Sequence, residues 1–383
     1  MQKAHVLSGL DRLHTIDPLL RGKRIGLMTN PTGVDHALRS GIDIFHESYN
    51  LSALFACEHG VRGNLQAGAH LETYMDEATG VTVYSCYGAS QRLSPEMLDA
   101  FDVFVFDMQD VGARFYTYMY SLSYAMEACA AAGKPVVVLD RANPIGGEMV
   151  QGTLLDERFS SFVGLYAMPT RHGLTIGEYA RWVKDYLNLS LELTVVPLEG
   201  WKRSLYLDET DVPWVAPSPN LATLSTAAVF TGTCLFEATN VSEGRGTTQP
   251  FELIGAPWLD GRALSIRLNA LELPGIRFRY ACFTPTFSKH AGEMCSGVQM
   301  HITNRAIASP FEAGLHMIEA IQALHGDTFV FLRRGDVEQM KLELLLGDDA
   351  FGKARLDAQG IIQKHAPLVA DFQRRTMQYR LYE

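Results

Sequence analysis

LSALFACEHGVRGN, residues 51–64, decides how the chain is read. Leu51 to Cys57 is apolar apart from Ser52, shows no helical spacing, and stops abruptly at Glu58-His59-Gly60. A short apolar run closed by a turn signal reads as a strand buried on both faces. The same texture recurs in RIGLMTN (24–30), VTVYS (81–85), DVFVFDMQD (102–110), PVVVLD (135–140) and LELTVVPLE (191–199). Between these runs, ALRSGIDIFHES (37–48) and FYTYMYSLSYAMEACAAAG (115–133) carry apolar residues at helical spacing. Gly133 followed by Pro135 is a helix stop. TIGEYARWVKDYL (175–187) opens with Thr175 and Glu178 at capping-box spacing. Strands alternating with helices predict a parallel α/β sheet. From about residue 200 Trp, Pro and Gly become frequent, and IRFRYACF and GVQMHIT read as strands between loops. The expectation is therefore two domains, 1–225 built on the parallel sheet and 226–383 of α+β type.

Composition narrows the partners. The chain has 383 residues, 47% apolar and 20% charged, with a net charge of −10. Those are globular values, and the acidic balance without a basic block argues against nucleic acid or an anionic membrane surface. Cysteines at 57, 86, 129, 234, 282 and 295 include no CxxC, so they read as reduced thiols and not as a disulfide framework. The first residues lack the apolar segment of a secretory signal, and no apolar run spans a bilayer, so a cytoplasmic protein is expected.

In open parallel sheets ligands bind beyond the carboxyl ends of the strands. Those ends carry Asn30, then Glu58 and His59, then Asp107 and Asp110, then Asp140, Arg141 and Asn143. Carboxylates gathered on one rim are what paired general acids and bases require. Each has a plain alternative: Asp107 or Asp110 as a turn former, Asp140 and Arg141 as a turn-stabilising pair, His59 on a backbone carbonyl. Glu58 is harder to dismiss, because EHGVRGNLQAG surrounds it with glycines that let a ligand approach the backbone. Phosphate-binding readings fail, since the chain has no GxxxxGK[ST] and TNPTGVDH lacks GxGxxG. A metal site from Glu58, His59, Asp107 and His172 is possible by residue type, without supporting spacing; no metal and no cofactor is expected.

EHGVRGNLQAG, FDMQDVGARFYTY, VLDRANPIGG, RHGLTIGEYA, PSPNLATLSTA, CLFEATNVSEGRGTTQPFELIGAPW and FTPTFSKHAGEMCSGVQMHITNR resemble, in order, the motifs of the NamZ family of exo-β-N-acetylmuramidases. The resemblance runs from about residue 20 to the end. It implies a Rossmann-like domain followed by a smaller C-terminal domain, with the site in the cleft between them. It also implies release of terminal N-acetylmuramic acid (MurNAc) from the non-reducing end of peptidoglycan fragments such as MurNAc-GlcNAc. The family's proposed catalytic glutamate carries over onto Glu58.

Glycoside cleavage needs an acid and a second carboxylate. Glu58 is the expected general acid/base. Asp110 or Glu243 is the expected partner, with Asp107 or Glu237 able to substitute, or with the substrate's N-acetyl group assisting. The lactyl carboxylate of MurNAc calls for a guanidinium, and Arg62, Arg114, Arg141, Arg171 and Arg245 are the candidates. Arg62 and Arg114 are preferred because they flank strand-end loops, an internal salt bridge being the alternative for each. His59 and His172 are expected on sugar hydroxyls, with Asp107, Asn143, Asn240 and Tyr116 completing the binding set; of Tyr116 and Tyr118, helical spacing turns one to the cleft. The rivals are a metal-assisted amidase, a sugar-modifying transferase and a non-catalytic muropeptide-binding protein. Nothing in these motifs sets the oligomeric state.

Overall fold

The computed structural model describes residues 3–58, 60–63, 72–86, 91–335, 340–351 and 356–383. Among the described residues twelve strands form three sheets. They are β1 (Arg24–Thr29), β2 (Asn50–Ala56), β3 (Tyr74–Met75), β4 (Thr82–Ser85), β5 (Val103–Asp107), β6 (Val136–Leu139), β7 (Gln151–Leu154), β8 (Pro169–Arg171), β9 (Leu193–Val196), β10 (Leu253–Ala256), β11 (Ile276–Phe283) and β12 (Cys295–Ile302). The large sheet runs β3-β4-β2-β1-β5-β6-β9, parallel throughout except for the edge strand β3. The chain builds outward from β1 to β2 and β4, then returns to lay β5, β6 and β9 on the other side of β1. That is the doubly wound order, with its switch point between β1 and β5.

The strands that read as continuous apolar runs are the ones buried on both faces. Every residue of β5 and β6 is buried, and in β1 Arg24 alone is exposed. The predicted helices form Gly41–Ser48, Tyr118–Ala131 and Ile176–Tyr186. The capping box at Thr175 and Glu178 is made in both directions, a feature worth about 1 kcal/mol. Beyond it Glu178 also holds the buried Arg203 through two bonds of 2.6 and 2.8 Å.

The later part of the chain carries a three-stranded antiparallel sheet, β10-β12-β11, backed by the helix Gly261–Asn269, which in turn packs against the helix Pro310–His325. The hairpin β7-β8 packs against the helix Ala358–Thr376. One buried apolar cluster runs from Phe55 and Phe104 in the parallel sheet through Phe230 and Phe251 to Ile254 and Val298. The fold is thus α/β, a Rossmann-like sheet followed by a smaller α+β portion. All six cysteines are free, and Cys282 alone is exposed. No helix of the described residues is long and apolar enough to cross a membrane.

Candidate functional site

A cavity of about 250 Å3 lies at the carboxyl end of β2. Glu58, half-buried, follows the last residues of that strand and lines it. The next wall comes from the turn after β5, where Phe115, Tyr116, Thr117 and Tyr118 lead into the helix Tyr118–Ala131. Gly112 makes this turn possible: its φ is +77°, and a Cβ there would meet Asn143 Oδ1 at 2.5 Å. Both Tyr116 and Tyr118 line the cavity, with ring centroids 4.8 Å apart, because the helix begins only at Tyr118 and helical spacing does not apply between them. The Tyr118 hydroxyl donates to Pro217 O at 2.7 Å, while Tyr116 Oη is buried without a well-formed hydrogen bond. Burial raises the pKa of the Tyr118 hydroxyl and pushes the Cys57 thiol up to about 12, and the nearby charge of Glu58 adds to both shifts.

The far side is built by residues after 215: Ser218, Asn220, Leu221, Phe230, Cys234, Glu237, Arg245 and Phe251. Phe230 and Phe251 meet edge to face at 4.8 Å. Arg245 stands over the Phe251 ring at 5.0 Å. Its Nη2 reaches Glu237 Oε1 at 2.5 Å and its Nε lies 3.3 Å from Glu243 Oε1. Burial alone would lower the Arg245 pKa, but Glu237 and Glu243 outweigh it and raise it. Behind them Lys289 Nζ donates to Glu243 Oε2 at 2.8 Å and to the carbonyls of Phe236 and Val241. The cavity therefore has an aromatic lining, a carboxylate on one wall, and on the other Glu237 and Arg245, backed by Glu243 and Lys289.

Several expected site residues lie elsewhere. Asp107 and Arg141 form a buried bidentate pair at 2.6 and 2.9 Å; burial raises the Asp107 pKa and Arg141 acts against it. Asp110 accepts from Gly112 N at 2.7 Å and lies 3.2 Å from His172 Nε2. His172 Nδ1 accepts from Leu174 N, while Nε2, although near Asp110, makes no well-formed hydrogen bond. Neither of this pair is among the lining residues. Asn143 is spent on Leu174 O and Ile145 N, and Asn240 on Thr328 O and Val330 N.

The preferred arginine clamp is not assembled. Arg62 binds Asp76 through two bonds of 3.1 and 3.0 Å. Arg114 is fully buried, its pKa pushed down to about 10 by that burial, and it donates to the carbonyls of Thr153, Met168 and Leu345. Arg171 is buried against Ile145 O, Tyr206 Oη and Gln151 Oε1. Of the five arginines, Arg245 lines the cavity. Glu243 is one ion pair behind it, and Glu237, the expected substitute, is on the wall itself. His59 lies outside the described residues. Lys289 was not among the expected residues, although FTPTFSKHAGEMC contains it; only the folded chain shows that it meets Glu243.

The comparisons with known proteins agree with one another. Residues 25–225 match the N-terminal domain of exo-beta-N-acetylmuramidase NamZ, and residues 228–382 match its C-terminal domain. The chain is 48% identical over 342 residues to the peptidoglycan beta-N-acetylmuramidase NamZ of Bacillus subtilis (strain 168), covering 88% of this chain and 83% of that protein. Two crystal structures of DUF1343 family proteins from Bacteroides fragilis NCTC 9343 superpose on it with TM-scores of 0.90 and 0.77, at 35% and 30% identity and over 99% of each chain. The chain belongs to the NamZ exo-β-N-acetylmuramidase family of glycosidases.

Proposed function

We propose that the chain releases terminal MurNAc from the non-reducing end of peptidoglycan fragments such as MurNAc-GlcNAc, with Glu58 as general acid/base. The observation that carries this reading is the convergence of Glu58, Glu237 and Arg245 on one aromatic-lined cavity, with Glu243 holding Arg245 from behind. Its volume suits one substituted sugar ring. Buried Tyr116, Phe230, Cys234 and Phe251 form the walls, and a pocket that admits one residue favours attack at a chain end. The aromatic rings offer their faces to the sugar's C–H groups, and Ser218 and Asn220 offer hydrogen bonds to its hydroxyls.

In this mechanism Glu58 protonates the glycosidic oxygen as the bond breaks, and as carboxylate then takes a proton from the attacking water. Glu237 is the favoured second carboxylate, because it lines the cavity whereas Asp110 does not and Glu243 is enclosed by Arg245 and Lys289. It serves on the oxocarbenium-like transition state or on the N-acetyl group. Arg245 is the favoured partner of the lactyl carboxylate, because of the five candidate arginines it is the one that lines the cavity. The test is Glu58→Gln on a chromogenic MurNAc glycoside. The isosteric amide keeps the shape of the wall, so turnover should fall by about 10²–10⁴-fold with binding retained. Near-normal turnover refutes the assignment.

A further inference from the structure

The amino-terminal segment, the loop after β1 and the turn before residue 215 meet at a second polar cluster that the proposed hydrolysis does not use. His5 Nδ1 lies 2.6 Å from Asp211 Oδ2, and His36 Nε2 lies 3.7 Å from the same oxygen. The two imidazole rings stand edge to face with centroids 5.1 Å apart. All three potential ligand atoms fall within 4.8 Å of one another, and this is the one such His/Cys/Asp/Glu grouping among the described residues. From these observations we infer that His5, His36 and Asp211 form a binding site for a divalent transition-metal ion such as zinc, with water completing its coordination.

The donor set suits that class of ion. Two imidazoles and one carboxylate are borderline ligands for zinc, nickel or cobalt, and a poor match for magnesium or calcium, which take oxygen. Part of the site is held in place. Asp211 Oδ1 accepts from Val6 N at 3.0 Å, which orients the carboxylate, and Asp11 Oδ1 accepts from the His36 backbone N–H at 2.6 Å, which anchors that loop. Both histidines are exposed and Asp211 is half-buried, which leaves open positions for water. A metal ion would take the place of the short His5–Asp211 contact, and because imidazole ligates a metal only in its neutral form, binding weakens as pH falls.

The site has a mechanical consequence. Asp211 begins the stretch that continues to Pro217, whose carbonyl holds the Tyr118 hydroxyl, and to Ser218 and Asn220 on the cavity wall. A cation joining three separate chain segments braces that stretch. The test uses the full chain without a polyhistidine tag, and it does not depend on catalysis. Zinc is titrated calorimetrically into chelator-treated protein, and cobalt is followed by its visible absorption. The expected result is one saturable equivalent, a rise in melting temperature with zinc, and a loss of affinity of about tenfold or more in His36→Ala and in Asp211→Asn. The exposed His301→Ala should bind as the parent does. Equal binding in all four proteins, or no saturable equivalent in the parent, overturns the assignment, whether or not the chain cleaves MurNAc glycosides.

Discussion

Replacing Lys289 by Met tests whether the charge array on the cavity wall is held together from behind. Lys289 Nζ donates at 2.8 Å to Glu243, at 2.7 Å to Phe236 O and at 3.0 Å to Val241 O. The Glu243 side chain is 3% exposed, so removing the ammonium leaves a carboxylate with almost no water and with Arg245 Nε at 3.3 Å as its remaining cation among the described residues. Breaking a buried pair by deleting one partner costs about 3–5 kcal/mol. Two features reduce this: Arg245 persists, and the Lys289 side chain is 22% exposed, so water can reach the two stranded carbonyls. The expected loss is therefore about 2–3 kcal/mol, read as a lower urea midpoint at pH 7 with an unchanged slope. Glu237 lies between the two carbonyls that Lys289 binds, so its position loosens as well, and kcat/KM on a MurNAc glycoside should fall with it. The double variant Lys289→Met/Glu243→Gln removes both charges and should recover most of the lost stability. A single variant within about 0.5 kcal/mol of the parent, or a double variant showing the sum of two penalties, refutes the reasoning.

Two further predictions concern the same wall and a distant clamp. Arg245→Lys keeps the charge but loses the planar fork, so the preference for MurNAc over GlcNAc glycosides should narrow by about tenfold; an unchanged ratio of kcat/KM values means that Arg245 does not read the lactyl group. Asp348 is bound by Lys364 Nζ, by His365 Nε2 at 3.1 Å and by Ala350 N at 2.7 Å. Burial raises its pKa, but these bonds outweigh it and hold the carboxyl well below the usual range. A depressed folded-state pKa stabilises above the unfolded value of about 3.9 and loses that contribution as pH falls below it. The stability gap between the parent and Asp348→Asn should be full near pH 6 and shrink below about pH 4; a gap constant across that range would contradict the assignment.

The strands were legible because burial on both faces leaves a signature that needs no partner to interpret. VFVFD at 103–107 and VVVL at 136–139 have nowhere to go but the centre of a parallel sheet. Strand ends were legible for the same reason, and that is how Glu58, which lines the cavity, is singled out. What the sequence does not disclose is which polar group each ion chooses. Arg62 and Arg114 are both arginines beside strand-end loops, yet one pairs with Asp76, 14 residues on, and the other with Leu345 O, 231 residues away. Those choices depend on tertiary packing and carry no local spacing. The far wall of the cavity was hidden likewise, because Phe230, Phe251 and Arg245 face Tyr116 only once the later residues fold onto the parallel sheet.

That later portion also explains why the cavity is not where a doubly wound sheet usually holds its ligand. The switch-point crevice lies between the ends of β1 and β5, and here the chain fills it with its own polar groups. Thr29 Oγ1 donates to Asp107 O at 2.8 Å, and Thr32 Oγ1 accepts from Gln109 N at 2.9 Å. Arg141 crosses from the end of β6 to clamp Asp107 and also donates to Val34 O. Gly33 presses so close that a Cβ would meet Thr29 Oγ1 at 2.1 Å. What remains is a hollow of about 20 Å3, room for a water molecule. With Asp107 neutralised inside the fold, and Asp140 at the end of β6 bound by Thr175 Oγ1, Gly177 N and Tyr382 Oη, the strand-end carboxylate that lines the cavity is Glu58 after β2. Helix Leu224–Thr233, the 3-10 turn Cys234–Ala238 carrying Glu237 and the loop carrying Arg245 supply the wall that an open sheet edge lacks. The displacement of the cavity from the switch-point crevice thus follows from one buried ion pair and one added wall.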